Sequence, residues 1–371
     1  MQIAYINLNV IKMPLKVPFQ THLGNVTERE SIIIEVVDNE GISGYGECVA
    51  FTTPWYTEET VKTCFHMLTD ILIPLLQTNP IKHPEEAGGI FNFVRRNNMA
   101  KAGLEMALWD LFAKQSGRSL SALLGGTREV IPSGVVVASN SIVTALKQIE
   151  SYLVEGYQRF KVKINPLNDY SFLSEIRQHF PDLPMMADAN SAYTLNHLEQ
   201  LKALDELDLL MIEQPLGCDD IIEHAALQKE LKTPICLDES IVTLEDAKKA
   251  IDLGSCKIIN IKAGRVGGLN EAKKIHDYCY AREVPVWCGG MIEFGISRAH
   301  NIALASLPGF SIPGDISASS RFWEEDIIFP DVKVNKGFIS VPTIPGIGFE
   351  INKKRLEQCN KMEKLTKFNK K

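Results

Sequence analysis

The sequence predicts an α/β protein in which a TIM-type (β/α)7β barrel follows a smaller N-terminal α+β domain. Its 371 residues suit one barrel of ~250 residues together with a smaller domain. Hydrophobic residues make up 45% of the chain and charged residues 23%, so the chain can bury a large core. From about Val130 short apolar strands alternate with amphipathic helices, whereas the preceding part has strands followed by helices.

The N-terminal part begins with a hairpin. Residues 32–37 are rich in Ile and Val and predict a strand, 38–41 have turn chemistry, and 43–48 predict the returning strand. Apolar residues at helical spacing predict helices at about 58–76 and 99–115. Strands followed by helices indicate a small α+β domain.

The remainder alternates between strand and helix patterns. Predicted strands span 132–138, 159–164, 184–188, 209–213, 234–238, 257–261, 284–288 and 310–313. Predicted helices span 143–154, 170–179, 195–204, 221–229, 244–253, 269–282 and 296–305. Eight strands joined by seven helices are typical of a parallel barrel. An open doubly wound sheet is the alternative, but no glycine fingerprint follows the first strand.

Five ionisable residues recur at the predicted strand ends: Lys163, Asp188, Glu213, Asp238 and Lys262. They are 25, 25, 25 and 24 residues apart, so one βα unit separates each from the next. A largely apolar strand has no structural reason to end in a buried charge. Because catalytic groups of a barrel meet at the carboxyl ends of its strands, we expect these five side chains to converge.

This set of residues predicts proton-transfer chemistry at a carbon next to a carboxylate. Three neighbouring carboxylates repel one another unless a cation lies among them, and Mg²⁺ suits oxygen ligands. The two lysines would face each other across the site, and one could remove the proton if its pKa fell from ~10.4 towards neutrality. Lys161, on the same face of its strand as Lys163, and Arg265, near Lys262, would supply the positive charge that lowers it. The outcome would be racemisation, or elimination if a β leaving group departs.

Composition restricts the partners. The net charge of −7 argues against nucleic acid or anionic membranes, although residues 353–371 carry eight Lys or Arg and two Glu and are interpreted as a solvated basic tail. No apolar run reaches ~18 residues, and the N-terminus lacks the apolar core of a signal peptide. The eight cysteines include no C-x-x-C pair. We therefore predict a cytoplasmic protein with reduced thiols and a small-molecule carboxylate substrate.

Short motifs at these strand ends resemble those of the enolase superfamily. The matching segments are Lys161-Val162-Lys163, Asp188-Ala189-Asn190, Glu213-Gln214-Pro215, Asp238-Glu239-Ser240 and Lys262. The resemblance covers essentially the whole chain. It implies that the N-terminal domain is a capping domain over the barrel mouth, with boundaries of 1–125 for the cap, 126–318 for the barrel and 319–371 for a C-terminal segment that returns to the cap. Because such barrels commonly associate, we expect a homo-oligomer.

Two further stretches resemble the o-succinylbenzoate synthase / N-succinylamino acid racemase group of that superfamily. They are Cys288-Gly289-Gly290-Met291-Ile292-Glu293 with Ser297-Arg298-Ala299-His300-Asn301, and Pro313-Gly314-Asp315-Ile316-Ser317. The resemblance implies a dehydration that forms o-succinylbenzoate for menaquinone biosynthesis, or racemisation of N-acylamino acids.

The resemblance also implies a role for each site residue. Lys163 would be the base, and Lys262 would stabilise the enediolate or act as the second base. Asp188, Glu213 and Asp238 would bind Mg²⁺. Lys161, Asn190, Glu239 and Arg265 would support these groups.

The expected substrate pocket combines cap and barrel residues. Residues 19–26 and 51–56 are the expected lids, and the pocket residues are Phe19, Phe51, Trp55, Ile292 and Phe294. Phe294 stands where a smaller residue is expected, and Ala263 where Pro is common in the group. Phe294 would then alter selectivity for the acyl group or ring.

Two alternative functions would explain only some of the five ionisable residues at the strand ends. An aldolase-type barrel with a Schiff-base lysine would leave three carboxylates without a role. A binding or structural protein on an inactive barrel would not need all five ionisable residues.

Overall fold

The computed structural model describes residues 1–21, 24–139 and 141–368, with only the backbone described at 19–21, 24 and 25. Its strands are β1 Ile3–Thr21, β2 Gly24–Asp38, β3 Ser43–Cys48, β4 Val130–Pro132, β5 Gly134–Val137, β6 Arg159–Lys163, β7 Met185–Asp188, β8 Ile212–Glu213, β9 Ile235–Leu237, β10 Ile258–Ile261, β11 Val286–Cys288, β12 Ile328–Phe329, β13 Phe338–Ser340, β14 Glu350–Ile351 and β15 Asn360–Lys367. Its α-helices are α1 Val61–His66, α2 Ile73–Thr78, α3 Glu86–Phe91, α4 Asn98–Gln115, α5 Leu120–Leu124, α6 Ile142–Glu155, α7 Tyr170–His179, α8 Leu198–Ala203, α9 Ile222–Glu230, α10 Leu244–Leu253, α11 Ala263–Val266, α12 Leu269–Tyr280, α13 Gly295–Ala305 and α14 Lys353–Cys359.

The N-terminal domain is an antiparallel sheet in the order β15-β1-β2-β3, packed on α4. Glycines in β3 allow this packing, because a Cβ at Gly46 would lie 2.1 Å from the carbonyl oxygen of Gly103. The helix predicted at 58–76 begins at Val61, after the capping residue Thr60, and continues through a π-helical turn at Met67–Leu72 into α2.

Seven parallel strands form the barrel in the order β11-β10-β9-β8-β7-β6-β5. The predicted eighth strand at 310–313 makes isolated bridges instead of a regular strand: Phe310 pairs with Val286 on one side and Gly314 with Ser133 on the other. Pro313, within this segment, has no N–H to donate to a ladder. The bridges still close the barrel, and the predicted fold class is confirmed.

Six of the seven predicted barrel helices are found within about two residues of their predicted bounds. The exception is 195–204, where α8 is flanked by 3₁₀ turns at Leu195–His197 and Leu204–Leu207. A short helix that was not predicted, α11, begins immediately after Lys262. This places Arg265 on the first turn after the strand that carries the lysine.

Residues 353–367 of the basic C-terminal segment form a helix and a strand rather than a free tail. Helix α14 leads into β15, which pairs antiparallel with β1 and so returns the chain to the N-terminal sheet. Most of the β15 side chains are exposed, so their lysines remain solvated.

Buried carboxylates join the two domains. Glu105 of α4 accepts hydrogen bonds from the backbone N–H groups of Leu269 (2.7 Å) and Asn270 (2.9 Å) at the start of α12. Glu47 of β3 does the same for Phe294 and Ser297 at the start of α13, both at 3.0 Å. Each carboxylate satisfies donors that a helix start leaves unpaired, which fixes the N-terminal domain on the barrel.

All eight cysteines are free thiols, seven of them buried. Among the residues described, no helix combines the length and apolarity that a membrane crossing requires.

Candidate active site

The five ionisable residues predicted from their spacing meet at one end of the barrel. Lys163, Asp188 and Glu213 are the last residues of β6, β7 and β8, and Asp238 and Lys262 immediately follow β9 and β10. The first three are in register across neighbouring strands. Parallel pairing therefore brings their side chains to one edge, as the sequence predicts.

Two lysines of β6 bind the carboxylates beside them. Lys161 Nζ lies 3.0 Å from Asp188 Oδ2, 2.7 Å from Glu213 Oε2 and 3.0 Å from Asp315 Oδ2. Lys163 Nζ lies 2.8 Å from the same Asp188 oxygen. Burial acts to lower the pKa of Lys161, but the three carboxylates outweigh it and raise this pKa well above its ordinary value. Lys161 is therefore a fixed positive charge beside Lys163.

A second group of cations surrounds Asp238. Lys262 Nζ lies 2.8 Å from Asp238 Oδ2, and the Arg265 guanidinium contacts Oδ1. The hydroxyl of Tyr56, from the N-terminal domain, lies 3.2 Å from Oδ1 and 3.0 Å from Lys262 Nζ. Burial acts to lower the pKa of Lys262, but Asp238 and Tyr56 raise it above its ordinary value. In this arrangement Lys262 is a cation.

Glu213 lies on the strand between the two groups. Its side chain is fully buried, and Asn260 Nδ2 donates to its Oε1 at 2.8 Å. Burial, with the neighbouring charges of Asp188 and Asp238, raises the pKa of Glu213 to about 7. An additional positive charge at this edge would favour the ionised carboxylate.

The three predicted metal ligands have the chemistry for a hard divalent cation but are not gathered around one point. Within the described chain, no three Asp, Glu, His or Cys side chains are close enough together to hold a metal ion. Lys161 bridges Asp188 to Glu213, while Lys262 and Arg265 hold Asp238. The carboxylate oxygens and the raised pKa of Glu213 fit such an ion.

Backbone conformation and amide groups position the carboxylates. Gln214 directly after β8 and Asn190 two residues after β7 both have a φ of +40°, a conformation that Asn tolerates better than most residues. Asn190 Nδ2 donates to Glu239 Oε1 at 3.2 Å, and its Oδ1 accepts from Lys163. Gln214 Oε1 accepts from the backbone N–H of Asp238 at 3.0 Å. Asn190 therefore links Glu239 to Lys163, and the supporting role expected of Asn190 and Glu239 stays a prediction. Gln214, which sequence reasoning missed, contacts the backbone of Asp238.

A cavity of about 720 Å³, including its open mouth, lies against these groups. It is lined by Phe51, Trp55, Tyr56, Gly134, Val135, Val136, Lys161, Lys163, Asp188, Asn190, Lys262, Gly290, Met291, Ile292, Glu293, Asp315, Ser317, Arg321 and Phe322. Both lysines that follow the strand spacing thus face the same space.

Three of the predicted pocket residues, Phe51, Trp55 and Ile292, line this cavity. Phe294 does not, and its prediction as a pocket residue is wrong. Its ring is fully buried and packs on Trp323, with the ring centroids 4.6 Å apart. Ile292 has a φ of +54°, so the chain turns before Phe294, which lies in the core as the residue that precedes helix α13. The side chain of Phe19 lies outside the described residues.

Tyr56, Asp315 and Arg321 are among the cavity residues that were not predicted as site residues. Tyr56 ends the predicted lid 51–56, and Asp315 belongs to a quoted motif, so both had a signal in the sequence. Arg321 had none, because it reaches the cavity from a 3₁₀ turn, Ser319–Arg321, after the barrel has closed.

Two known protein families match most of the chain. Residues 5–125 match the N-terminal domain of the mandelate racemase / muconate lactonizing enzyme family, and residues 144–355 match the enolase C-terminal domain-like family. An o-succinylbenzoate synthase from Geobacillus stearothermophilus is 55% identical over 364 residues, which cover 98% of this chain and 97% of that protein.

More distant relatives have a different named activity or a solved structure. An N-succinylamino acid racemase from Thermus thermophilus is 44% identical over 352 residues, 95% of each chain. The crystal structure of an enolase superfamily member from Listeria innocua has a TM-score of 0.96 at 45% identity and covers 100% of both chains.

Proposed function

This chain belongs to the enolase superfamily, and on that premise we propose that it is a Mg²⁺-dependent o-succinylbenzoate synthase. The proposed reaction dehydrates 2-succinyl-6-hydroxy-2,4-cyclohexadiene-1-carboxylate to o-succinylbenzoate, in menaquinone biosynthesis. The observation that carries it is the placement of Lys163 and Lys262 on one cavity, with three carboxylates on the strands between them. The 55% identity to an o-succinylbenzoate synthase supports this reaction over others of the superfamily.

Asp188, Glu213 and Asp238 are the residues that would hold the divalent cation. Their oxygen donors suit Mg²⁺, and burial together with neighbouring negative charges raises the pKa of the Glu213 carboxyl group to about 7. When bound, the ion supplies positive charge that stabilises the substrate carboxylate and the enediolate derived from it.

Lys163 is the proposed base. Its neutral amine would take the proton from the ring carbon that bears the carboxylate, and the electron pair would move into the enediolate. As the carbon–oxygen bond to the ring hydroxyl breaks, the proton on Lys163 is available to that hydroxyl, which leaves as water. Lys161, beside it on the same strand, is 2.7–3.0 Å from three carboxylates and therefore stays charged.

Lys262 is the proposed electrostatic partner on the opposite side. Its contact with Asp238 keeps it protonated, so it can stabilise the enediolate without exchanging a proton. Arg265 contacts the same carboxylate and holds its position.

Racemisation of N-succinylamino acids is the second candidate function. Two lysines that face one cavity from strands β6 and β10 could each exchange a proton with one face of the substrate carbon. The 44% identity to an N-succinylamino acid racemase supports it. For this reaction Lys262 has to lose its proton, so its contacts with Asp238 and Tyr56 act against it.

The rate of dehydration of the cyclohexadiene precursor, with Mg²⁺ and with chelator, tests the proposal. Fast turnover that is lost with chelator and restored by Mg²⁺ is the expected result. Slow or absent turnover by folded protein that binds Mg²⁺ would reject the synthase and leave N-succinylamino acid racemisation, measured by loss of optical rotation. Trapping of a substrate adduct with borohydride would instead support the Schiff-base alternative.

The proposal extends to the protein's setting. We expect a homo-oligomer, which light scattering after gel filtration would measure. Eight free thiols are consistent with the reducing cytoplasm.

A further inference from the structure

Arg321 lies in the wall of the active-site cavity, next to the strand that precedes the lysine pair. Its Nη2 donates a hydrogen bond to the carbonyl oxygen of Val136 on β5. Val136 is paired in register with Lys161 on β6. The guanidinium is therefore anchored one strand away from the proposed base, on the side of the cavity away from β8, β9 and β10.

Among the residues that the structure describes, Arg321 is paired with no anionic side chain, unlike the other cations that line this cavity. Lys161, Lys163 and Lys262 each lie within 3.0 Å of at least one carboxylate oxygen. Within the described residues Arg321 makes no ion pair, and its Nη1 is buried without any hydrogen-bond partner. A guanidinium has five N–H donors and stays charged, so an unpaired buried nitrogen is costly unless a ligand accepts from it.

Aromatic rings hold the guanidinium without neutralising it. Its central carbon lies 4.9 Å from the centroid of the Tyr152 ring and 5.7 Å from that of Phe322. These contacts and the Val136 carbonyl restrict the side chain while leaving its charge unpaired. A pre-positioned, unpaired Arg is suited to bind a carboxylate.

We propose that Arg321 binds the terminal carboxylate of a succinyl group on the substrate. This inference rests on the proposed function, because the cyclohexadiene substrate and an N-succinylamino acid both carry a second carboxylate at the end of a succinyl group. The first carboxylate belongs with the proposed metal ligands and lysines, whose charges already balance one another. Arg321 is the cation left to recognise the second, and it makes the site selective for succinyl over neutral acyl groups.

Binding of two matched ligands tests this role. The ligands are o-succinylbenzoate and its analogue with a primary amide in place of the succinyl carboxylate, titrated in the presence of Mg²⁺ by calorimetry. We expect the wild-type protein to prefer the carboxylate by about 30-fold or more, as for other buried charge pairs. Arg321→Met should abolish that preference and leave the affinity for the amide within about threefold of the wild type.

The control is Arg282→Met, which removes an arginine stacked on Tyr278 on the outside of the barrel and should retain the preference. A preference that survives in Arg321→Met, equal weakening of both ligands, or no preference in the wild type would overturn the inference. If Arg321→Met does not fold, Arg321→Gln provides the same comparison. A wild-type protein that shows the preference but catalyses no dehydration or racemisation would reject the proposed function alone.

Discussion

The hydroxyl of Tyr56 lies 3.0 Å from Nζ of Lys262, although the two residues belong to different domains. The ring adds a second contact, since Nζ lies 4.6 Å from its centroid. The same hydroxyl lies 3.2 Å from both Arg265 Nη1 and Asp238 Oδ1. The N-terminal domain therefore does more than cover the barrel, because it supplies a group that positions a proposed catalytic lysine.

We expect Tyr56→Phe to lower kcat/KM for dehydration about tenfold. The substitution removes the hydrogen bonds of the hydroxyl with Lys262, Arg265 and Asp238, while the ring contact with Lys262 remains. A hydrogen bond to a charged group contributes about 1.5–3 kcal/mol, and about 1.4 kcal/mol corresponds to a tenfold change in rate. Steady-state kinetics measure the effect. Tyr170→Phe, which removes a hydroxyl from the barrel surface, is the matched control and should change nothing. Equal rates for Tyr56→Phe and the wild type would show that the hydroxyl does not position Lys262.

Lys163→Ala should lower the rates of both dehydration and substrate-proton exchange by about a thousandfold or more. Among the described residues, the other amine on this face of the strand towards the cavity is Lys161, which is bound to carboxylates. Product absorbance and proton NMR in D₂O measure the two rates, and circular dichroism confirms the fold. Lys202→Ala, which removes a surface lysine paired with Glu230, is the control. Substantial residual exchange in Lys163→Ala would exclude Lys163 as the base.

The sequence spacing was enough to predict where the charged residues meet. The spacing of about 25 residues between Lys163, Asp188, Glu213, Asp238 and Lys262 equals the length of one βα unit. Residues with this spacing therefore lie at the same edge of the barrel. Strand and helix alternation likewise predicts the fold class. Both are properties of regular, repeated elements.

The remaining features depend on contacts between segments that are distant in sequence. No local sequence pattern indicates that Phe294 packs on Trp323 in the core, or that Arg321 lines the cavity. The sequence predicts a regular eighth strand at 310–313, where the structure has isolated bridges. A short segment with apolar residues resembles a strand even where a proline cannot donate to a regular ladder. The spacing predicts that Lys161 lies near the carboxylates, but it does not predict that Lys161 forms ion pairs with both Asp188 and Glu213.

Asp238→Asn should weaken Mg²⁺ binding at least tenfold, because an amide oxygen is a poorer ligand for a hard cation than a carboxylate. The same change removes the negative charge that holds Lys262 and Arg265. Calorimetric titration with MgCl₂ measures the affinity without depending on activity, and the melting temperature reports any loss of fold. Asp277→Asn, at an exposed ion pair with Lys273, is the control. Unchanged Mg²⁺ affinity in a folded Asp238→Asn protein would remove Asp238 from the ligand set.

The buried carboxylate that joins α4 to the start of α12 should make stability depend on pH. Burial raises the pKa of Glu105 to about 7 from an ordinary value of 4.5, although hydrogen bonds from Asn270 and Leu269 act to lower it. Between about pH 4.5 and 7 the folded protein therefore binds more protons at this residue than the unfolded chain does. The contribution of Glu105 to the free energy of unfolding should fall as the pH rises through this range and stay constant above it.

Glu105→Gln removes that titration, because the amide carries no charge at any of these pH values. Between pH 5 and pH 8 we expect the wild type to lose up to about 3 kcal/mol of unfolding free energy that the variant keeps, since one pKa unit corresponds to about 1.4 kcal/mol. Urea unfolding of both proteins at the two pH values measures the difference. Glu150→Gln, at an exposed position on α6, should leave the pH dependence as it is in the wild type. If the unfolding free energies of Glu105→Gln and the wild type change equally between pH 5 and pH 8, the Glu105 carboxyl group does not titrate in this range. It would then be ionised throughout and bind the start of α12 as a charged capping group.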